Sequence, residues 1–220
     1  MIHMELEQVL PSRIEQRSFE LIQEELDRMG KILEPENELV IKRAIHTTAD
    51  FEYADNLVFS PQAVLKARQA LKAGPVIITD TNMGLAGVNK KKTAALGGEA
   101  ACFMADEDVA REAKEKGTTR AVASMEKAVR LHGTGGADSR PCIFAIGNAP
   151  TALIRLYELI CGGQIKPALV IGAPVGFVNV VQSKELILTL KDTPYIVARG
   201  RKGGSNVAAA ICNALLYQVD

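Results

Sequence analysis

The sequence has little of the residue types that mark several specialised classes of protein. It contains no tryptophan, 4 cysteines and 3 histidines among 220 residues. The cysteines lie far apart, with no C-x-x-C pair and no His/Cys cluster, so neither a disulfide framework nor a protein-built metal site is expected. Three of them sit in apolar runs and are expected to be small buried hydrophobic residues. Unpaired cysteines of this kind are typical of a reducing compartment. We therefore expect a cytoplasmic protein.

An excess of charge of one sign is also missing. Lys plus Arg and Asp plus Glu both number 26, so the formal net charge is zero, which argues against a nucleic-acid or membrane-surface binder. No run approaches the roughly 18 uncharged apolar residues of a membrane helix, and the N-terminus lacks the basic and apolar regions of a secretory signal. The length and the 47% of apolar residues favour one domain over residues 1–220.

What is present is an alternation of apolar strand-like runs with helical patterns. The strand-like runs are apolar throughout and are separated by helical segments of 10–15 residues, which is typical of parallel strands buried on both faces. We predict an α/β fold with a doubly wound, mostly parallel sheet of about five strands, flanked by helices, behind a helical N-terminal segment. Ser12 and Glu15 have capping-box spacing at the start of that segment. The predicted strands are 75–79, 100–104, 142–146, 168–171 and 195–198.

The loops after these strands combine glycine with polar side chains. Ligands of an open parallel sheet bind beyond the carboxyl ends of its strands, where glycine lets the backbone approach a ligand and an amide or hydroxyl orients it. Asn148 and Ser205 are such side chains. Ordinary strand-to-helix turns have a similar composition, so the binding rim is predicted from the recurrence of the pattern. The four loops are 79–84, 147–151, 172–179 and 199–206.

Basic residues at predicted helix starts indicate anion contacts. Arg199, Arg201 and Lys202 precede a helix whose first amides are exposed, which favours an anion site, with a solvated basic turn as the alternative. Neither the P-loop spacing nor G-x-G-x-x-G occurs, so a carboxylate-rich ligand fits at least as well as a phosphate. Arg120 begins another helix and is either an anion contact or a surface residue.

One histidine is placed for chemistry. Arg43 and His46 stand at i and i+3 on one helix face, where an arginine holds an anion and an imidazole moves a proton near neutral pH; a hydrogen-bonded core histidine is the alternative. Ser18 interrupts the buried side of the first helix and either bonds its own backbone or faces a pocket. His132, at a helix end, is interpreted as structural, and His3, near the terminus, carries no argument. These residues predict a protein that holds a polyanionic small molecule, without giving its reaction.

Six motifs, in this order along the chain, resemble the precorrin-8X methylmutase family of cobalamin biosynthesis, which includes cobalt-precorrin-8 methylmutases. The resemblance extends over nearly the whole chain, from about residue 10 to residue 217, without a departure at the positions that matter. The motifs are RSF at 17–19, AIHTTADFE at 44–52, TDTNM at 79–83, IGNAPTAL at 146–153, GAPVGFV at 172–178 and RGRKGGS at 199–205.

The resemblance implies an isomerase that moves a methyl group between adjacent carbons of ring C of a corrin precursor, giving hydrogenobyrinate or, with cobalt, cobyrinate. It implies no separate cofactor and a homodimer. His46 matches the family's acid–base histidine, and Ser18 and Arg43 match its substrate contacts. The several carboxylates of a tetrapyrrole fit the scattered polar and basic residues of this chain. The expected substrate-binding residues are Ser18, Arg43, Arg120, Asn148, Arg199, Arg201 and Ser205, and the rim residues expected against the macrocycle are Met83, Pro174, Val175 and Phe177.

Two other functions remain open at this point. A tetrapyrrole carrier would use the same arginines and loops but would have no need of His46, and a nucleotide-dependent transferase would need phosphate motifs that the sequence lacks. The sequence also leaves open whether the substrate already carries cobalt, although the region around 82–83 and 89–90 favours the cobalt-containing substrate.

Overall fold

The computed structural model describes residues 7–219, which form six strands and eleven α-helices after a 3-10 turn at Pro11–Arg13. His3 lies outside the described residues. The strands are β1 (Leu57–Phe59), β2 (Val76–Thr79), β3 (Glu99–Ala101), β4 (Cys142–Ile146), β5 (Leu169–Gly172) and β6 (Tyr195–Ala198). The helices are α1 (Ile14–Arg28), α2 (Glu38–Thr48), α3 (Tyr53–Asn56), α4 (Ala63–Lys72), α5 (Asn82–Gly87), α6 (Lys90–Ala95), α7 (Glu107–Glu115), α8 (Arg120–His132), α9 (Pro150–Cys161), α10 (Val180–Leu188) and α11 (Ser205–Leu216).

The six strands form one sheet in the order β1-β6-β5-β4-β2-β3. The five strands from β6 to β3 are parallel, which confirms the predicted mostly parallel sheet. The sixth strand, β1, was not predicted. It pairs antiparallel with β6, with Leu57 opposite Ala198, and so adds an antiparallel edge.

Side chains alternate across the sheet and divide the core into two layers. In β4, Ile143 and Ala145 pack with residues of α2, α4 and α11, whereas Phe144 and Ile146 pack with residues of α8, α9 and α10. All four side chains are buried, as expected of a parallel strand covered on both faces. Helices on both faces confirm the doubly wound architecture.

The chain changes direction between β2 and β4, which are neighbours in the sheet. After β2 the chain passes through α5, which packs against α11 on one face, and after β4 it enters α9 on the other face. Two adjacent parallel strands whose connections leave to opposite sides open a crevice at their carboxyl ends. This switch point is where the doubly wound fold places a ligand.

The described part of the chain contains no helix that is both long and apolar enough to cross a bilayer. All four cysteines are unpaired thiols: Cys142 and Cys212 are buried, Cys102 is half-buried and Cys161 is exposed. Two cysteines are therefore buried, where three were expected.

The predicted capping box at Ser12 is wrong. Residues 11–13 form a 3-10 turn that starts at the proline, so α1 begins later, with Arg13 at its N-cap and no capping side chain. Glu15 reaches across to Arg43 on α2 instead of back to its own helix.

Candidate functional site

Four side chains on α1 and α2 form a group that we call the imidazole cluster: Ser18, Phe19, Arg43 and His46. Ser18 Oγ lies 2.8 Å from His46 Nδ1, and the Phe19 ring stacks on the imidazole with centroids 5.5 Å apart. The imidazole itself is exposed, so His46 is not a core histidine. Both of these contacts come from α1, which therefore orients the ring while leaving it open to a ligand.

The contact between Ser18 and His46 suits a group that both gives and takes a proton. If the Ser18 hydroxyl donates to Nδ1, the ring carries its proton on Nε2 and can donate it; if Nδ1–H donates to Oγ, Nε2 is an acceptor. A hydroxyl accepts either arrangement by rotating. The pair can therefore serve in both steps of a proton addition and removal.

Arg43 stands one helical turn before His46 and contacts two aromatic rings. Its Cζ lies 4.8 Å from the centre of the Phe19 ring and 5.3 Å from that of Tyr217. Its guanidinium also pairs with Glu15, an exposed carboxylate at the start of α1. The rings fix the cation by cation–π contact, and a ligand carboxylate can replace Glu15.

Ser18→Ala is expected to lower kcat by about three- to tenfold, because a hydrogen bond of roughly 1 kcal/mol no longer holds the imidazole in one orientation. The stability of the fold should not change measurably, since the cluster is partly exposed. Steady-state turnover of the variant checks the effect. Ser12→Ala, in the exposed 3-10 turn, is the matched control. A Ser18→Ala variant as active as this control would contradict the role of Ser18 in orienting the His46 imidazole.

A second group, at the switch point, is the strand-end cluster of Asp80, Thr81, Asn148 and Ser205. Asp80 follows β2 directly and is buried. Its two carboxylate oxygens accept hydrogen bonds from the backbone N–H groups of residues 147, 148 and 149 at 2.6–2.8 Å. Burial raises the pKa of Asp80, and these hydrogen bonds oppose the rise. The protein's own carboxylate thus occupies the amides before α9, and the exposed Asn148 side chain is left for a ligand.

Ser205 closes the other side of this cluster. It is the first residue of α11, and its Oγ lies 2.7 Å from Thr81 Oγ1. The backbone approach is also close, because a Cβ on Gly147 would lie 2.6 Å from the Cα of Ser205. Glycine is therefore required at position 147 for the loop after β4 to meet α11. The Ser205 hydroxyl, predicted to bind substrate, is buried and engaged with Thr81.

The basic loop of residues 199–204 separates its three cations. Arg199 pairs with Glu185 of α10 at 2.8 Å, and Lys202 pairs with Asp50 at 2.6 Å and Glu52 at 3.0 Å. Within the described chain, Arg201 has no ion pair, and its Cζ lies 5.6 Å from the centre of the Phe177 ring. A three-cation anion site is therefore not assembled; Arg201 is the cation that the loop presents.

Lys202 connects the two clusters. Asp50 follows the end of α2, four residues after His46, while Lys202 precedes α11, which begins at Ser205. The Lys202 ammonium lowers the pKa of Asp50, and the carboxylates of Asp50 and Glu52 raise the pKa of Lys202. Because α2 also packs against α11, the imidazole cluster and the strand-end cluster are held on one connected frame.

The remaining predicted contacts lie around this frame. Arg120 is exposed at the start of α8, beside the start of α9, where Thr119 Oγ1 lies 3.2 Å from Thr151 Oγ1. Three of the four predicted rim residues are exposed, but Pro174 is buried, so it offers no surface to a macrocycle. The exposed ones are Met83, Val175 and Phe177.

The region around Asn89, which favoured a cobalt-containing substrate, has an internal role. The Asn89 side chain accepts from the N–H of Lys92 at the start of α6 and donates to the Tyr217 hydroxyl at 3.2 Å. These contacts hold the N-terminus of α6 against the end of α11. They give no information on the metal content of a ligand.

The predicted site residues His46, Asn148 and Arg201 are exposed and form an open rim. A cavity of about 390 Å³ lies on the opposite helical layer, lined by α8 and α9 residues such as Glu126 and Arg155, and includes none of the predicted site residues. Within residues 7–219, no three His, Cys, Asp or Glu side chains are grouped so that they could hold a metal ion. The open rim suits a ligand that is wide and flat.

Two residues that shape this rim were missed from the sequence. Asp80 was included in a candidate loop without a role, although a carboxylate directly after a buried strand is a usable signal. Lys184, in the apolar helix α10, is completely buried and donates to backbone carbonyls of the basic loop. A lysine inside an apolar helical run is the signal that could have identified it.

Comparisons with known proteins agree with this architecture. The sequence model of the family described as precorrin-8X methylmutase matches residues 13–218. A cobalt-precorrin-8 methylmutase of Priestia megaterium is 43% identical over 96% of this chain and 90% of its own length, and a precorrin-8X methylmutase of Pseudomonas aeruginosa is 38% identical over 92% and 93%. The crystal structure of a precorrin-8X methylmutase from Thermus thermophilus superposes with a TM-score of 0.81 at 36% identity, over 93% of this chain and 96% of that one.

Proposed function

This chain belongs to the precorrin-8X methylmutase family and is an isomerase of cobalamin biosynthesis. From this premise we propose that it moves one methyl group of cobalt-precorrin-8 between adjacent carbons of ring C. In this proposal His46 is the proton donor and acceptor. The observation that carries the role of His46 is its exposed imidazole, oriented by Ser18 at 2.8 Å and by the Phe19 ring. The product is cobyrinate.

In the proposed reaction His46 first gives a proton from Nε2 to the conjugated ring system. The bond from the methyl carbon to its ring carbon then breaks as the bond to the neighbouring carbon forms, and the proton returns to the imidazole. Atoms and electrons balance without an oxidant or reductant, so the product has the mass of the substrate. The remaining contribution of the protein is alignment, because a methyl group held beside its acceptor carbon reacts as a positioned pair.

We assign substrate binding to residues around the open rim. The acetate and propionate side chains of the macrocycle meet separate cations, of which Arg120 and Arg201 are exposed and have no ion pair within residues 7–219. The half-buried Arg43 pairs with the exposed Glu15, and the exposed Arg199 pairs with the half-buried Glu185. A substrate carboxylate can replace either partner, because ion pairs that are open to water are weak. Ser18 and Asn148 supply neutral polar contacts of the proposed site, and Ser205 contributes by exchanging its hydrogen bond with Thr81 for one with the substrate.

The cobalt-containing substrate is favoured by the relatives. Relatives named cobalt-precorrin-8 methylmutase are 36–43% identical to this chain, three of them at 42–43%, and two named precorrin-8X methylmutase are 38% identical. We therefore expect a higher kcat/KM for cobalt-precorrin-8 than for metal-free precorrin-8X. Initial rates with the two substrates under one set of conditions measure the ratio, and equal values or a preference for the metal-free substrate would contradict the assignment.

The experiment that tests the function is an absorbance time course of the purified protein with cobalt-precorrin-8, followed by mass analysis of the product. Methyl migration changes the conjugation of the ring, so a spectral shift at unchanged mass is expected. Tight binding with an unchanged spectrum would instead indicate a carrier. A spectral change that requires ATP would indicate a nucleotide-dependent transferase.

We further propose a single domain over residues 1–220 that works in the cytoplasm as a homodimer. The continuous six-stranded sheet supports one domain, and the four unpaired thiols are typical of a reducing compartment.

Exposed apolar side chains such as Ile32 and Val178 support association of two copies of the chain. Sedimentation equilibrium at micromolar concentration would give twice the 23.7 kDa chain mass for a dimer, and the chain mass itself would contradict it.

A further inference from the structure

Lys184 is a buried cation with no role in the proposed proton transfer. Its side chain is completely buried on α10, and its Nζ donates to the carbonyl oxygens of Gly200 and Lys202, both at 2.8 Å. Within the described chain it has no carboxylate partner. Lysine is rarely buried unless it is paired, because removing an ammonium group from water is costly, so a fully buried lysine bound to loop carbonyls points to a specific task.

The segment that Lys184 holds is the basic loop of residues 199–204. The carbonyls on either side of Arg201 converge on the ammonium group, while the carbonyl of Arg201 accepts from the N–H of Gly176 at 3.2 Å. A second connection runs from the N–H of Gly204 to the carbonyl of Ala173 at 2.8 Å. Arg201 itself is exposed, over the Phe177 ring, so the anchored backbone determines where its guanidinium projects.

We propose that Lys184 is a positioning residue for substrate binding: it fixes the backbone on both sides of Arg201 and so presents that guanidinium to a carboxylate of the substrate. This inference rests on the proposed function. Burial lowers the pKa of Lys184 to about 8, so the side chain is still largely charged at neutral pH, and a charged donor holds two carbonyls more strongly than a neutral one.

The test uses Lys184→Met, which keeps the unbranched side-chain stem and removes the ammonium group. Its control is Lys191→Met, which makes the same change at an exposed lysine just after the C-terminal end of α10. Brief trypsin digestion followed by mass spectrometry measures cleavage after Arg199, Arg201 and Lys202, which requires local opening of the loop. We expect cleavage in this loop to rise by about tenfold in the Lys184 variant alone. Cleavage elsewhere in the chain should stay as in the wild type.

Steady-state kinetics test whether the anchored loop contributes to substrate binding. In Lys184→Met we expect KM for cobalt-precorrin-8 to rise about tenfold with kcat within about twofold, since one charged contact is lost while His46 remains held by α1. Arg201→Ala should raise KM in the wild-type background but change it little in the Lys184→Met background, because both substitutions remove the same contact. Additive effects of the two substitutions would overturn the proposal.

The cleavage measurement and the kinetic measurement together separate this inference from the proposed function on which it rests. Unchanged tryptic cleavage in Lys184→Met overturns the positioning role whatever the activity, and increased cleavage with unchanged KM overturns the link to substrate. If the wild type binds cobalt-precorrin-8 without converting it, the proposed reaction fails, and the dissociation constant takes the place of KM in the same comparison. Should Lys184→Met not fold, Lys184→Gln, whose amide still donates to one carbonyl, gives the same contrasts at smaller amplitude.

Discussion

Replacing His46 by alanine is expected to lower kcat by about 10² to 10⁴, the range that a positioned general acid or base contributes. The affinity for cobalt-precorrin-8 should stay close to that of the wild type, because the carboxylates of the substrate are assigned to the arginines of the rim. Single-turnover absorbance measurements at saturating protein separate this loss of chemistry from a loss of binding.

The control for this prediction is another imidazole of the same chain. His132 ends α8 on the opposite layer of the sheet, where its Nδ1 lies 3.2 Å from a carboxylate oxygen of Asp138. His132→Gln should keep wild-type kcat. Full turnover in the His46 variant together with normal binding would remove the proton from the mechanism and leave alignment as its only component.

The second large effect is on stability. Asp80→Ala should lower the free energy of unfolding by about 4 kcal/mol, because three backbone N–H groups lose a charged acceptor and each unsatisfied donor costs about 1–3 kcal/mol. For a chain of this size that corresponds to a fall in Tm of about 8–16 °C. Thermal and urea unfolding of the variant measure the loss.

A matched aspartate shows whether the burial of Asp80 is the cause. Asp55 pairs with Lys31 at 2.5 Å, but its side chain is 56% exposed, so Asp55→Ala should cost less than about 1 kcal/mol. Asp80→Asn keeps one acceptor oxygen and should lie between the two alanine variants. An Asp80→Ala variant as stable as Asp55→Ala would mean that water satisfies the three N–H groups after the substitution.

The sequence predicts the elements whose formation is local. Strands β4 and β6 agree with the predicted 142–146 and 195–198 at both ends, because each is an apolar run bounded by glycine, proline or polar residues. Strand β1 was missed because Leu57–Phe59 is only three residues long and is defined by its pairing with β6, some 140 residues later. The short helices α5 and α6 were missed for a similar reason: a turn or two of helix has little local signal, and that of α5 is interrupted by Gly84.

The site was predictable as a set of residue types but not as an arrangement. Helical spacing identified His46, Arg43 and Ser18 as candidates, and the resemblance to the family implied their roles, but the periodicity of neither helix predicts that residues 18 and 46 are in contact. Arg199 looked equivalent to Arg201 in the sequence, whereas Glu185, on another helix, pairs only with the former. Asp80 and Lys184 stand out as charged residues beside or within apolar runs, but their partners are backbone atoms of distant loops, which residue identities do not reveal.

The carboxylate of Asp80 makes the switch point of this fold self-liganded. In nucleotide-binding proteins of this architecture, a phosphate binds the amides before such a helix. Here a tethered carboxyl group already occupies them, at an effective concentration of at least about millimolar. A phosphate-bearing inhibitor would have to displace it against that concentration and leave a buried carboxylate without partners. Inhibitors that imitate the flat macrocycle and bind the exposed arginines of the rim, Arg120 and Arg201, avoid this competition. They would therefore distinguish this enzyme from the nucleotide-dependent enzymes that share its doubly wound sheet.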